Sequence, residues 1–245
     1  MALPLDAYRL TTDQRYAVSR ARVPLVISCM KRFGFDVEAP VLTRRADLGG
    51  GPNGRRYGVS DLARARSNGF HLLASEQQSL PEQGELSPAA SAIMFGEGQQ
   101  SVGGQPVPEG GCAGEANRLL RKDGPEISDT DYAGTLALES DALAKKDSRL
   151  VKAFDEWSSC MKGKGFAYRT PMDPENDQNF LGTPAATPQE ISAAVADVEC
   201  KESTNVIGIW VAVDTAYQKR AIEQHAQQLD VTKKALEAMV RNAGQ

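Results

Sequence analysis

The sequence holds no apolar run near the roughly 18–20 residues that a membrane span requires, so no membrane span is expected. Histidine is almost missing: His71 and His225 are the only two. A Ser or Cys nucleophile would need one of them as its base, and neither stands at a spacing that supports such a pair. Neither charge sign dominates. Lys and Arg number 28 against 32 Asp and Glu, mixed along the chain, for a net charge of −4. That balance gives no field for nucleic acid or an anionic membrane, and no nucleic-acid partner is expected. Aromatic residues make up only 6% of the chain, which is sparse for a sugar-binding cleft. The first residues, Met1-Ala2-Leu3-Pro4-Leu5-Asp6, carry neither a basic stretch nor an apolar stretch of the signal-peptide kind. On its own this suits a cytosolic protein, or an exported one whose signal has been removed. The cysteines decide between the two.

There are four cysteines, and two of them open matching segments. Cys29-Met30-Lys31-Arg32-Phe33-Gly34-Phe35 and Cys160-Met161-Lys162-Gly163-Lys164-Gly165-Phe166 share Cys, Met, Lys, Gly and Phe at the same offsets. Rare residues coinciding in this way imply an internal duplication. Most of the motif reads as a helix stop. Gly34 and Gly165 suit the left-handed C′ position, where a Cβ would be penalised. Met30 and Met161 then fall at C3, with Phe35 and Phe166 at C″, the apolar pair that accompanies a Schellman cap. Lys31 and Lys162 sit beside the negative end of the helix dipole.

The cysteine itself is not explained by capping. Each motif is followed by one further cysteine, Cys112 and Cys200, in helix-forming surroundings. Four cysteines allow three pairings; repetition favours Cys29–Cys112 and Cys160–Cys200, each within its own copy. Four free thiols or a zinc site are the other readings. Zinc is disfavoured because every gap is long, without the close pairs of structural zinc sites. Disulfides require an oxidising compartment, which makes an extracytoplasmic location the expectation: secreted, or anchored at the outer face of the cell membrane. A chain of 245 residues can bury a full-size core without such staples.

The expected fold is all-α. It comprises two unequal helical repeats with long antiparallel helices, one disulfide per repeat, and a long loop insertion in the first. The repeats divide as 1–127, with a Gly/Pro-rich insertion at about 40–111, and 128–245, ending in a long amphipathic helix. The first helix is expected from Thr12, an N-cap candidate, to Phe33, kinked at Pro24. Within the insertion, helices are expected after Ser60-Asp61 and from Ser87-Pro88 to Phe95, with loops at 49–54 and 96–111. A helix through Cys112 leads to a break at Gly124-Pro125, followed by one long helix from Ser128 to Lys162. Thr187-Pro188-Gln189-Glu190 predicts a helix start with a capping box. From Val206 the apolar spacing predicts one long helix to Arg241. Strands have little support anywhere.

Little chemistry stands out. Residues 49–54 satisfy G-x-G-x-x-G, but no apolar strand precedes them and no helix clearly opens on them, so the dinucleotide reading fails on context. His225 with Glu223 offers at most a weak metal site with acids of another helix, and His71 has no visible partner; no metal and no cofactor are expected. A basic cluster in the insertion, Arg44, Arg45, Arg55, Arg56, Arg64 and Arg66 with Tyr57 nearby, is the candidate binding surface for an anionic polymer or partner, against the plainer reading of a solvated loop.

Four stretches carry a resemblance: Cys29-Met30 with Gly34-Phe35, Arg55-Arg56-Tyr57-Gly58-Val59, Gly111-Cys112-Ala113-Gly114-Glu115-Ala116, and Ala196-Asp197-Val198-Glu199-Cys200-Lys201. In these the chain resembles a group of actinobacterial exported proteins and lipoproteins. The resemblance implies the outer membrane face or the cell wall as location, often with a lipid anchor on an N-terminal cysteine, which this sequence does not have. It brings no activity and no site residues. The expected function is a non-enzymatic exported or cell-envelope protein that serves a protein or cell-wall polymer as a binding or structural partner, with the insertion as its variable face. The alternatives are a carboxylate-dependent envelope hydrolase and an extracytoplasmic regulatory partner of a membrane protein. No oligomeric state is read from the sequence.

Overall fold

In the computed structural model, described for residues 1–42, 53–73, 85–98 and 101–244, the chain is mostly helical. Two disulfides join Cys29 to Cys112 and Cys160 to Cys200, across 83 and 40 residues of sequence.

The chain forms two compact units that are not consecutive halves. One comprises Met1–Ala7, Ala46–Gln78 and Ala133–Ala226; the other comprises Tyr8–Arg45, Ser79–Tyr132 and Gln227–Gln245. The first is called here the Cys160 unit and the second the Cys29 unit. Part of the insertion belongs to the Cys160 unit, and the C-terminal helix belongs to the Cys29 unit.

The Cys29 unit is built on α1 (Thr12–Arg32), α3 (Pro88–Phe95), α4 (Gly111–Leu120) and α10 (Ala226–Ala243). Helix α1 begins at Thr12, which was expected as the cap itself. Thr11 is its N-cap and forms a reciprocal capping box with Gln14. Cys29, Met30, Ala90, Ile93 and Cys112 form one apolar cluster, and Val18, Leu120, Leu236 and Met239 form another. A minimal hairpin of β1 (Ser101–Val102) and β2 (Gln105–Pro106) lies where only loop was expected.

The Cys160 unit contains α2 (Leu62–Asn68), α5 (Tyr132–Ala144), α6 (Ser148–Gly163), α7 (Gln178–Leu181), α8 (Pro188–Thr204) and α9 (Val206–Gln224). Trp157 and Trp210 are fully buried at its centre. Phe154 and Tyr57 meet the Trp210 ring edge-on, at centroid distances of 4.9 and 5.1 Å. A second cluster packs Val59, Ala65 and Phe70 against Phe180, Ala193, Ala194 and Val198.

Two expected long helices are broken. The run from Ser128 to Lys162 is α5 and α6, because the Asp147 side chain accepts from the Arg149 N–H and caps a new helix. The run from Val206 to Arg241 is α9 and α10, parted at His225, whose N–H still donates to the Ala221 carbonyl.

Both motifs close their helices as their residues require. In the first, the Phe35 N–H donates to Met30 O and the Gly34 N–H to Lys31 O; in the second, Phe166 and Gly165 donate to Met161 and Lys162. These are the two bonds of a Schellman cap, with Gly34 at φ +81° and Gly165 at φ +91°.

Candidate functional site

The segment 53–73 reaches the Cys160 unit as a strap, and its charged residues meet buried partners there. Arg56 Nε donates to Asp214 Oδ2 at 2.7 Å, and its Nη2 donates to the Ala137 carbonyl at 3.0 Å. The Tyr57 hydroxyl donates to the same carboxylate oxygen at 2.9 Å. Asp214 Oδ1 accepts from Gln218 Nε2 at 3.0 Å, and Gln218 Oε1 in turn accepts from the Leu5 N–H at 3.1 Å. Burial and the adjacent Asp214 charge push the Tyr57 phenol well above its ordinary range. Burial works against the Arg56 cation, but its bond and charge interaction with Asp214 outweigh it and raise its pKa.

A second knot gathers around Arg55 and Val59. Arg55 Nη2 donates to Glu175 Oε2 at 2.8 Å and to the Phe70 carbonyl at 2.9 Å. Glu175 Oε1 accepts from the Val59 N–H at 2.6 Å, and the Val59 carbonyl accepts from Lys201 Nζ at 3.0 Å. Lys201 also donates to Asp197 Oδ2 at 2.7 Å, and Asp197 Oδ1 accepts from Trp157 Nε1 at 3.1 Å. Burial lifts Asp197 to about 6, against the pull of Lys201. Gly58 makes this convergence feasible. It sits at φ +79°, and a Cβ there would come within 2.6 Å of Glu175 Oε1 and 2.7 Å of Lys201 Nζ.

The third contact is His71. Its Nδ1 lies 2.7 Å from Glu190 Oε1, and its Nε2 lies 2.9 Å from the Thr183 carbonyl oxygen. Glu190 Oε1 also accepts from the Phe70 N–H at 2.8 Å. Glu190 was expected to close the α8 capping box. Thr187 does cap the Glu190 N–H, but the Glu190 carboxylate turns to the strap instead. The bond to Thr183 and the bond to Glu190 hold the imidazole pKa above its ordinary value.

The basic cluster therefore divides. Arg55 and Arg56 have side chains only 16% exposed and are spent on Glu175 and Asp214; Tyr57 is buried. Arg64 is half-buried and Arg66 exposed, both on α2. Arg44, Arg45 and most of the 49–54 glycine run lie outside the described residues. The burial partners Glu175, Glu190, Asp197, Lys201, Asp214 and Gln218 were not read from sequence as site residues, Glu190 being expected only as a helix cap. One signal did exist. Asp197 and Lys201, like Asp214 and Gln218, stand four apart on the buried faces of α8 and α9.

Clefts formed by described residues include two that open to solvent. One of about 390 Å³ in the Cys29 unit is lined by Arg32, Phe33, Val107 and Glu115 among others, with Arg32 bonded to Glu115. One of about 240 Å³ in the Cys160 unit is lined by Leu136, Glu139, Leu143, Tyr217, Arg220 and His225. Each holds a single acid. His225 stands at the break between α9 and α10 rather than within a helix. Among the described residues no group of three or more His, Cys, Asp or Glu side chains could hold a metal ion, and no helix is long and apolar enough to cross a membrane. Comparison with known protein families, with curated proteins and with solved structures gave no match.

Proposed function

We propose that the chain is a non-enzymatic protein of the extracytoplasmic space, a disulfide-stapled helical scaffold that serves a protein or cell-wall polymer as a binding or structural partner. The observation that carries this reading is the pair of disulfides, which account for all four cysteines. A chain of this size does not need them to make a core viable, so they speak for an oxidising compartment. The resemblance to actinobacterial exported proteins and lipoproteins supports the same location. We further propose that the two motifs descend from a duplication; their identical cap hydrogen bonds and equivalent disulfide positions favour it.

The part of the insertion free to meet a partner is narrower than 40–111. Arg55, Arg56 and Tyr57 hold the Cys160 unit together, whereas among the described residues of the insertion Arg66, residues 85–89 and 95–98, and most of the hairpin 101–106 are exposed. The two clefts described above carry one acid each, and the buried Asp197 has both oxygens bonded inside the protein, which favours the binding reading over the hydrolase alternative.

The test is fractionation of the producing cell combined with thiol labelling under non-reducing conditions. The expected result is protein in the envelope or medium with no reactive thiol. Recovery from the cytosol with four reactive thiols would overturn the reading. A crosslinking pulldown comparing the native chain with one in which 101–106 is replaced by a Gly/Ser turn then tests the binding face. Deleting the whole insertion would be uninformative, because it removes the partners of Asp214 and Glu175.

A further inference from the structure

Beside an ionised Glu190, the His71 contact has a stoichiometry that a neutral imidazole does not meet. A neutral imidazole has one N–H and one acceptor nitrogen. Here both ring nitrogens face acceptors, the Glu190 carboxylate at 2.7 Å and the Thr183 carbonyl at 2.9 Å. Only the doubly protonated ring donates to both. The charge requirement agrees. Glu190 is fully buried, its Oε2 has no hydrogen-bond partner, and His71 is the basic group in contact with it. A buried carboxylate without a paired cation is costly, so the ring proton serves as its counter-charge.

We propose that the α2 end of the strap, residues 62–73, is a pH-responsive latch on α8, closed by the proton that His71 shares with Glu190 and loosened when that proton leaves. Among the described residues, the groups facing the ring and its neighbours are few. Helix α8 presents Glu190, and the segment before it presents the neutral Thr183 carbonyl. Arg55, bonded to the adjacent Phe70 carbonyl, is itself paired with Glu175. Helix α2 contributes Arg64 and Arg66 as its charged residues, and farther along α8 Lys201 is paired with Asp197. The apolar surface under the latch is formed by Phe180, Ala193, Ala194 and Val198, which Val59, Ala65 and Phe70 cover. Loosening would expose part of it.

The sign follows from the direction of the shift. The ring's pKa is raised above its ordinary 6.5 in the folded protein. Its contribution to holding the strap is fully present below 6.5 and is lost as pH rises through the folded value. The latch is thus closed in acid and loosens toward alkaline pH. The latch requires neither a partner nor a particular cellular location.

The test is an NMR titration of the imidazole in a His225→Gln variant, which leaves His71 as the sole histidine, together with amide exchange at Phe70 and His71. The expected midpoint lies above 6.5. Through it, exchange at Phe70, corrected for its intrinsic pH dependence, should rise roughly tenfold, while amides of α1 stay level. In a Glu190→Gln chain the proton affinity of His71 should fall about 3- to 10-fold. If that variant fails to fold, a His71→Gln chain serves instead, and its Phe70 exchange should be pH-independent once corrected. A midpoint at or below 6.5, or unchanged Phe70 protection through the midpoint, would overturn the proposal.

Discussion

The two units carry the same cysteine motif and the same helix cap, yet they are held together differently. Of the described residues that are buried and polar or charged, Asn53, Ser140, Glu190, Asp197, Lys201, Asp214 and Gln218 belong to the Cys160 unit and Thr232 to the Cys29 unit. In the Cys29 unit the ion pairs are on or near the surface: Arg9–Asp131, Lys31–Asp36, Arg32–Glu115 and Lys234–Asp230. Its described buried residues are apolar apart from Thr232. In the Cys160 unit, a segment distant in sequence is fixed by charges that have no water to fall back on. Apolar burial tolerates small shifts in position, but a buried ion pair that loses one member does not. The shared motif therefore accounts for what is common to both units, and the buried charges account for what distinguishes the Cys160 unit.

The sharpest way to break this comparison is Lys201→Met. It leaves Asp197 buried without its cation and should cost about 3–5 kcal/mol in urea unfolding. The matching change in the other unit, Arg9→Ala, removes a pair that is 33% and 65% exposed and should cost less than about 1 kcal/mol. A double Asp197→Leu, Lys201→Met chain should regain most of the loss. If Lys201→Met proves as mild as Arg9→Ala, the contrast between the units is false.

Removal of the disulfides should instead give similar values. In the chain-entropy account, replacing Cys160 and Cys200 by Ala costs about 4 kcal/mol, and replacing Cys29 and Cys112 about 4.5 kcal/mol, because the second loop is longer. Paired denaturation curves check this; a unit that loses nothing would not be stapled by its bridge.

The helix starts discriminate more finely. Glu190 and Gln14 both occupy the third position of a helix capped by Thr. Glu190→Ala strands the Phe70 N–H and His71 and should cost about 1–3 kcal/mol. Gln14→Ala, at an exposed capping box, should cost roughly 0.5 kcal/mol. The smallest contrast is the one that should vanish: Thr11→Ala and Thr187→Ala each remove one cap bond, at about 1 kcal/mol apiece in thermal unfolding.

Much of the local structure was legible because it is set by groups within a few residues. The Ser87-Pro88 start of α3, Asp61 before α2, Thr187 before α8 and the two glycine stops each satisfy backbone groups within one turn. The Asp147 cap parting α5 from α6 was equally local, but the unbroken apolar spacing on both sides masked it. The break at His225 has no such signal. Neither Gly nor Pro marks it, and the helices on either side belong to different units.

The strap shows the limit most clearly. Arg55-Arg56-Tyr57 reads as a basic surface because an arginine's preference for water is its default, and only a partner at the right place reverses it. Those partners, Glu175 and Asp214, lie 120 and 158 residues away in sequence. Glu190 is the same case in reverse, a residue whose local role was a cap and whose actual role is set by His71. By itself, then, the sequence determined most helix starts and stops and the cysteine chemistry, which depend on short-range geometry. The tertiary structure decided which charges are buried, which segments share a core and where a proton is held, because burial and pairing depend on distances through space that sequence spacing does not encode.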